Sequence, residues 1–181
     1  TTRGGSTIHL YKNNGGINFT NVSIESNVGH EMEARTAIAG DYDNDGDLDL
    51  FVGATIGSSK FFQNNGDGTF QDITNLTGIH VNDQVRGCSW FDFNQDGYLD
   101  LYVGLLFEPN LLYKNNGDGT FIDIAQNVGA TGPIGAGIIM GLGAIDFNRD
   151  GYQDLYITQD NYNGNILLKN ENGSFFTDVS Y

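Results

Sequence analysis

The stretch DYDNDGDLDLFVG at residues 41–53 returns as DFNQDGYLDLYVG at 92–104 and as DFNRDGYQDLYIT at 146–158, at offsets of 51 and 54 residues. A second pattern travels with it: NNGGINFTNVS from Asn13 becomes NNGDGTFQDIT from Asn64, NNGDGTFIDIA from Asn115 and NENGSFFTDVS from Asn170, at offsets of 51, 51 and 55. A period of about fifty residues held along a chain identifies a repeat architecture before any single residue is interpreted.

Within each unit the local patterns are those of strands. Runs rich in small residues, RTAIAG at 35–40, RGCSWF at 86–91 and MGLGAI at 140–145, precede each acidic cluster and read as a first strand. Leu50-Phe51-Val52, Leu101-Tyr102-Val103 and Leu155-Tyr156-Ile157 follow it and suit a second strand buried on both faces. Lys60-Phe61-Phe62, Leu111-Leu112-Tyr113 and Ile166-Leu167-Leu168 make a third. The Asn-Gly turns reverse the chain into a fourth, FQDIT, FIDIA and FFTDVS. Four antiparallel strands meandering and then linked to the next copy make the blade of an all-β propeller. Small residues on the first strand relieve crowding where blades converge. The repeats run approximately over 1–33 (a partial blade), 34–84, 85–135 and 136–181. That phase predicts three complete blades plus an extra N-terminal outer hairpin, in a single propeller segment. Propellers commonly need four to eight blades, so the expectation is a piece of a larger propeller or self-association through open ends. The chain does not begin with Met, which fits a processed form or an excised segment.

Composition narrows the function. The 181 residues carry 8 Lys+Arg against 23 Asp+Glu, a formal charge of −15, which argues against phosphate-driven nucleic-acid binding. No apolar run approaches the ~18 residues of a membrane span, so no membrane insertion is expected of this segment. Cys88 is the sole cysteine and reads as a small residue packed in a strand.

The chemistry lies in D-x-[DN]-x-D-G-x-x-D. Oxygen-bearing side chains at positions one, three and five converge if the loop curls, and Gly46, Gly97 or Gly151 permits the sharp turn at position six. An all-oxygen donor set without His or thiolate favours Ca²⁺. Eleven of the 23 acids lie in these three loops, so three Ca²⁺ ions would bring the formal charge from −15 to −9. Without metal, neighbouring carboxylates repel at roughly 1 kcal/mol per pair at 4 Å in water. The first loop, with four side-chain carboxylates, is expected to bind most tightly. An EF-hand begins similarly but needs a bidentate Glu at position twelve, where this chain has Val52, Val103 and Ile157.

These loops and their spacing resemble the FG-GAP or VCBS-type repeats of integrin α-subunit propellers, cartilage acidic protein and bacterial surface proteins. The resemblance covers nearly the whole chain, although the namesake signature is only approximated by Phe51-Val52-Gly53-Ala54. It implies Ca²⁺ ligation at three sites by the side chains of Asp41, Asp43, Asp45 and Asp49, of Asp92, Asn94, Asp96 and Asp100, and of Asp146, Asn148, Asp150 and Asp154. Asp47, Tyr98 and Tyr152 would add main-chain carbonyls. The functional expectation is a non-enzymatic, calcium-stabilised extracellular or cell-surface scaffold, or a periplasmic one if bacterial, that recognises a protein or glycan. A propeller lectin and an accessory domain of a secreted enzyme are the alternatives.

Other candidates are weaker. Asp67 and Asp118 read as members of hairpin turns, and His9, His30 and His80 fall at unrelated phases of the repeat. GAGIIMGLG at 135–143 lacks the strand-loop-helix context of a dinucleotide site and is assigned to an innermost strand. Asn18, Asn21, Asn75 and Asn172 begin N-x-[ST] sequons that matter only in a eukaryotic secretory setting. Trp90, Tyr98 and Tyr152 are candidate sugar-stacking aromatics, with Trp90 expected to pack between blades.

Overall fold

The computed structural model describes residues 7–132, 138–160 and 164–180. Strands β1 (Tyr11–Asn13) and β2 (Phe19–Asn21) form a hairpin. Three antiparallel four-stranded sheets follow. The first contains β3 (Glu33–Gly40), β4 (Asp49–Ile56), β5 (Lys60–Asn64) and β6 (Phe70–Asp72). The second contains β7 (Val85–Phe91), β8 (Asp100–Leu105), β9 (Leu111–Asn115) and β10 (Phe121–Asp123). The third contains β11 (Ile138–Ile145), β12 (Asp154–Asp160), β13 (Ile166–Asn170) and β14 (Phe176–Asp178). In each sheet the strands lie side by side in chain order. The first strands meet one another, β3 against β7 and β7 against β11, which is the radial arrangement of propeller blades. The innermost strand expected over 135–143 begins outside the described residues and is strand from Ile138.

The fourth strands are three residues long, shorter than FQDIT, FIDIA and FFTDVS suggested. The Asp ending each one turns the chain. Asp72 Oδ1 accepts from the Thr74 amide at 3.1 Å, and Thr74 Oγ1 in turn accepts from the Phe61 amide at 2.9 Å, so a hydroxyl takes the next rung of the ladder. Ala125 has no hydroxyl, and there Asp123 Oδ1 accepts from the Leu112 amide directly at 3.2 Å.

Successive blades are joined by one bond repeated at the repeat period. The amides of Phe70, Phe121 and Phe176 donate to the carbonyls of Ser26, Thr77 and Val128 at 2.9, 2.7 and 2.6 Å. Because the first of these comes from the turn after β2, the hairpin occupies the outer half of a blade, as the sequence phase requires. Gly78 and Gly129 adopt φ of +80° and +72° at this junction, and a Cβ on either would lie under 3 Å from the partner Phe carbonyl oxygen. Asn27 holds the equivalent position with φ 63°.

The core lies between blades. Trp90 packs on Phe61 and Phe121. A Cβ on Gly40 would sit 2.7 Å from Trp90 Cδ1, so the indole occupies the space the small first-strand residue leaves. Tyr42 packs edge-on against Phe61 at 4.9 Å and Phe93 stacks on Phe176 at 5.3 Å. β8 is buried along its whole length, as expected for a strand between two blades. β12 departs from that expectation, with Tyr156 41 % exposed, because no described residue covers the far face of the third sheet.

Candidate metal centre

Each D-x-[DN]-x-D-G-x-x-D segment links a first strand to a second, and the three bends are built alike. The carboxylate at position one accepts from the amides of positions five and six: Asp41 from Asp45 and Gly46 at 3.1 Å each, Asp92 from Asp96 and Gly97 at 3.1 and 2.9 Å, Asp146 from Asp150 and Gly151 at 3.1 and 3.0 Å. Gly46, Gly97 and Gly151 have φ of 95°, 89° and 94°. Position four is also left-handed, with Asn44, Gln95 and Arg149 at 62°, 60° and 63°. Sequence reading missed this second turn, because only Asn among the three residues signals it.

Position nine is the anchor. Asp49, Asp100 and Asp154 are fully buried. Each spans two amides: Asp49 accepts from Tyr42 and Asn64, Asp100 from Phe93 and Asn115, Asp154 from Phe147 and Asn170, at 2.7–3.2 Å. Burial pushes Asp49 and Asp100 up to about 6, against the lowering effect of those amides. Position seven caps the hairpin turn of its own blade, with Asp47, Tyr98 and Tyr152 lying against Gly66, Gly117 and Gly173. Tyr98 and Tyr152 are thereby half-buried turn covers.

Among the described residues, Asp41, Asp43 and Asp49 have carboxylate oxygens within 4.8 Å of one another. Asp43 Oδ2 accepts from Gln63 Nε2 at 2.7 Å, while its Oδ1 is buried and has no hydrogen-bond partner. Asp45 turns its Oδ1 to the Asp47 amide at 2.8 Å. In the second and third bends, positions three and five bond each other. Asn94 Nδ2 donates to Asp96 Oδ2 at 3.0 Å and Asn148 Nδ2 to Asp150 Oδ2 at 2.7 Å. Lys114 Nζ also lies 3.2 Å from Asp96 Oδ2. The donor set therefore fits a hard divalent cation best in the first bend, where like charges converge and an oxygen lacks a donor.

The bends are also stapled to each other. Asn44 Nδ2 donates to the Gly97 carbonyl at 2.9 Å and Gln95 Nε2 to the Gly151 carbonyl at 2.7 Å, each reaching the next blade. In return, Asn115 Nδ2 donates to the Tyr42 carbonyl and Asn170 Nδ2 to the Phe93 carbonyl, at 2.8 and 2.9 Å. The signal for these asparagines was their fixed phase in the NNG and NEN segments, which as sequence announces only a turn. Asp67 and Asp118 do belong to such turns, accepting from the amides of Thr69 and Thr120.

Blades of four antiparallel strands, each bearing the same acidic bend between its inner two strands, define a β-propeller repeat protein. A model of the FG-GAP-like repeat matches residues 1–52, 41–103 and 107–157, and the chain belongs to that family. It is 33% identical over 153 residues to cartilage acidic protein 1 of Xenopus tropicalis, which covers 82% of this chain and 23% of the relative. It is 34% identical over 94 residues to human cartilage acidic protein 1, covering 52% of this chain and 14% of the relative. The chain thus spans less than a quarter of the length of these curated relatives. Among solved structures, it resembles an Agrocybe aegerita lectin studied for specific recognition of non-reducing terminal N-acetylglucosamine. The TM-score is 0.54 at 20% identity, covering 96% of this chain and 46% of the lectin chain. Among the described residues no helix is long and apolar enough to cross a membrane.

Proposed function

We propose that the chain is a calcium-stabilised segment of propeller that presents a rigid surface for recognising a protein or glycan outside the cell, without catalysis of its own. The observation that carries the calcium reading is the first bend, where Asp41, Asp43 and Asp49 converge and the buried Asp43 Oδ1 lacks a partner. Asp41, Asp43, Asp45 and Asp49, with the Asp47 carbonyl, would hold the ion there. Asp92, Asn94, Asp96, Asp100 and Tyr98 would do so in the second bend, and Asp146, Asn148, Asp150, Asp154 and Tyr152 in the third. When bound, the cation neutralises the carboxylates and supplies the attraction that protein donors provide only in part.

The protein's share is to preorganise the bend. Position one ties the turn amides, position nine fixes the strand ends, and the asparagine staples transmit that order to the neighbouring blade. Binding to the folded state alone stabilises it by RT ln(1 + [L]/Kd), so extracellular calcium at millimolar levels keeps even modest sites loaded. Calorimetric calcium titration with thermal melting tests the reading: saturable binding and a lower Tm in chelator are expected, and neither occurring overturns it. A glycan array against the calcium-loaded chain separates a lectin from a protein-binding scaffold. Hydrolytic turnover by the chain alone would overturn the non-catalytic reading.

A further inference from the structure

The innermost strands carry the same irregularity at the same place. Arg35 is skipped between the pairs Ala34–Ala54 and Thr36–Gly53, Arg86 between Val85–Leu105 and Gly87–Gly104, and Met140 between Ile139–Gln159 and Gly141–Thr158. The three residues are 51 and 54 apart, which is the offset of the acidic bends, and each stands six residues before the first Asp of its bend. A bulge of this kind re-aims one side chain away from the sheet. Because β3, β7 and β11 are edge strands of their sheets, with β7 packed between β3 and β11, the bulges lie along the inner edge where the blades converge. Six residues of strand span roughly 20 Å, so they lie at the end away from the bends.

Two of the chain's four arginines occupy these bulges. Thr36 Oγ1 lies 3.8 Å from Cys88 Sγ, bringing β3 and β7 together one residue from Arg35 and two from Arg86. Among the described residues the ion pairs are made by Lys60, Lys114 and Lys169, and neither arginine joins one, although the chain has 23 acids. Arg86 Nε is buried without an acceptor. A buried guanidinium N–H lacking an acceptor is costly, and its planar fork matches an oxyanion.

We infer that Arg35 and Arg86 form an oxyanion-binding site on the inner edge of the first two blades, at the end opposite the aspartate bends, which takes a carboxylate or sulfate group. The site is independent of the calcium reading.

The test is to follow the arginine Nε–H resonances of the full chain by NMR while adding sodium acetate or sodium sulfate against sodium chloride at matched ionic strength and constant calcium. Saturable shifts at Arg35 and Arg86 are expected, with the acetate and sulfate arms telling a planar from a tetrahedral anion. Arg35→Met with Arg86→Met copies the Met140 bulge, which the fold already accommodates, and should weaken binding by about tenfold or more. Backbone amide shifts of Thr36 and Gly87 read the affinity in both the parent and the doubly substituted chain. Shifts that grow linearly without saturating, or an unchanged affinity in the doubly substituted, folded chain, would overturn the site.

Discussion

The side-chain amide of Asn115 donates to the main-chain carbonyl of Tyr42 at 2.8 Å, joining residues 73 apart in the chain and fastening the second blade to the bend of the first. The same side chain reaches the Leu99 carbonyl at 3.2 Å, and its own amide donates to buried Asp100. Asn170 repeats this at the next junction. Asn64 reaches only the Leu48 carbonyl of its own blade, at an exposed position. Replacing Asn115 or Asn170 by Ala strands a buried carbonyl and should cost about 1–3 kcal/mol. Asn64→Ala should cost measurably less, and chemical denaturation of the three variants checks the order.

The second position of each bend gives a sharper contrast. Tyr42 and Phe93 are buried against the following blade, whereas Phe147 is 45 % exposed. Phe93→Ala should destabilise the chain by about 3–5 kcal/mol. Phe147→Ala should change stability by about 0.5 kcal/mol or less. Equal losses in urea unfolding would refute the inter-blade wedge.

Calcium and protons should compete at position nine. With Asp49 and Asp100 pushed up to about 6 by burial, the stability these groups contribute to the metal-free fold is fully present below the ordinary 3.8 and is lost as pH rises through 6. A cation requires the ionised form. Its binding at pH 6 should therefore release about one proton in all from the two half-protonated groups, and almost none at pH 8. Calorimetry in two buffers of different ionisation enthalpy reads the release directly; none at pH 6 would contradict the assignment.

Cys88 is buried between the first two blades, and burial pushes its thiol from 9.0 up to about 11. The folded chain should resist a thiol-specific reagent at pH 8 and react fully once denatured. The thiol's contribution to stability is present below pH 9 and lost as pH rises through 11, so alkaline melting should be shallower in Cys88→Ala. Rapid labelling of the native chain would show that the first two blades part readily.

The repeat and its strands were legible because they rest on local chemistry: small first strands, apolar second strands and Asn-Gly turns, each recurring at about fifty residues. The acidic bends were legible as oxygen ligands at fixed spacing. The fourth strands came out shorter because the Asp that ends each one takes the amide two residues on, of Thr74, Ala125 and Ser180, into a turn. The left-handed position four was hidden behind Gln95 and Arg149, residues with no turn signature.

What the amino-acid order determined by itself was the blade, its period and the donor atoms of each bend, since all of these are read from short local motifs and their recurrence at about fifty residues. Only the tertiary structure decided which donors converge, with Asp43 gathered beside Asp41 and Asp49 while Asn94 and Asn148 turn to their own neighbours. It alone decided that Asn115 and Asn170 staple blades and that Arg35 and Arg86 each stand at a bulge of an innermost strand. The reason is physical: the staples link residues more than seventy positions apart that only the radial packing of blades brings within reach, and within a bend the side-chain rotamers, which spacing alone does not encode, select the donors that converge.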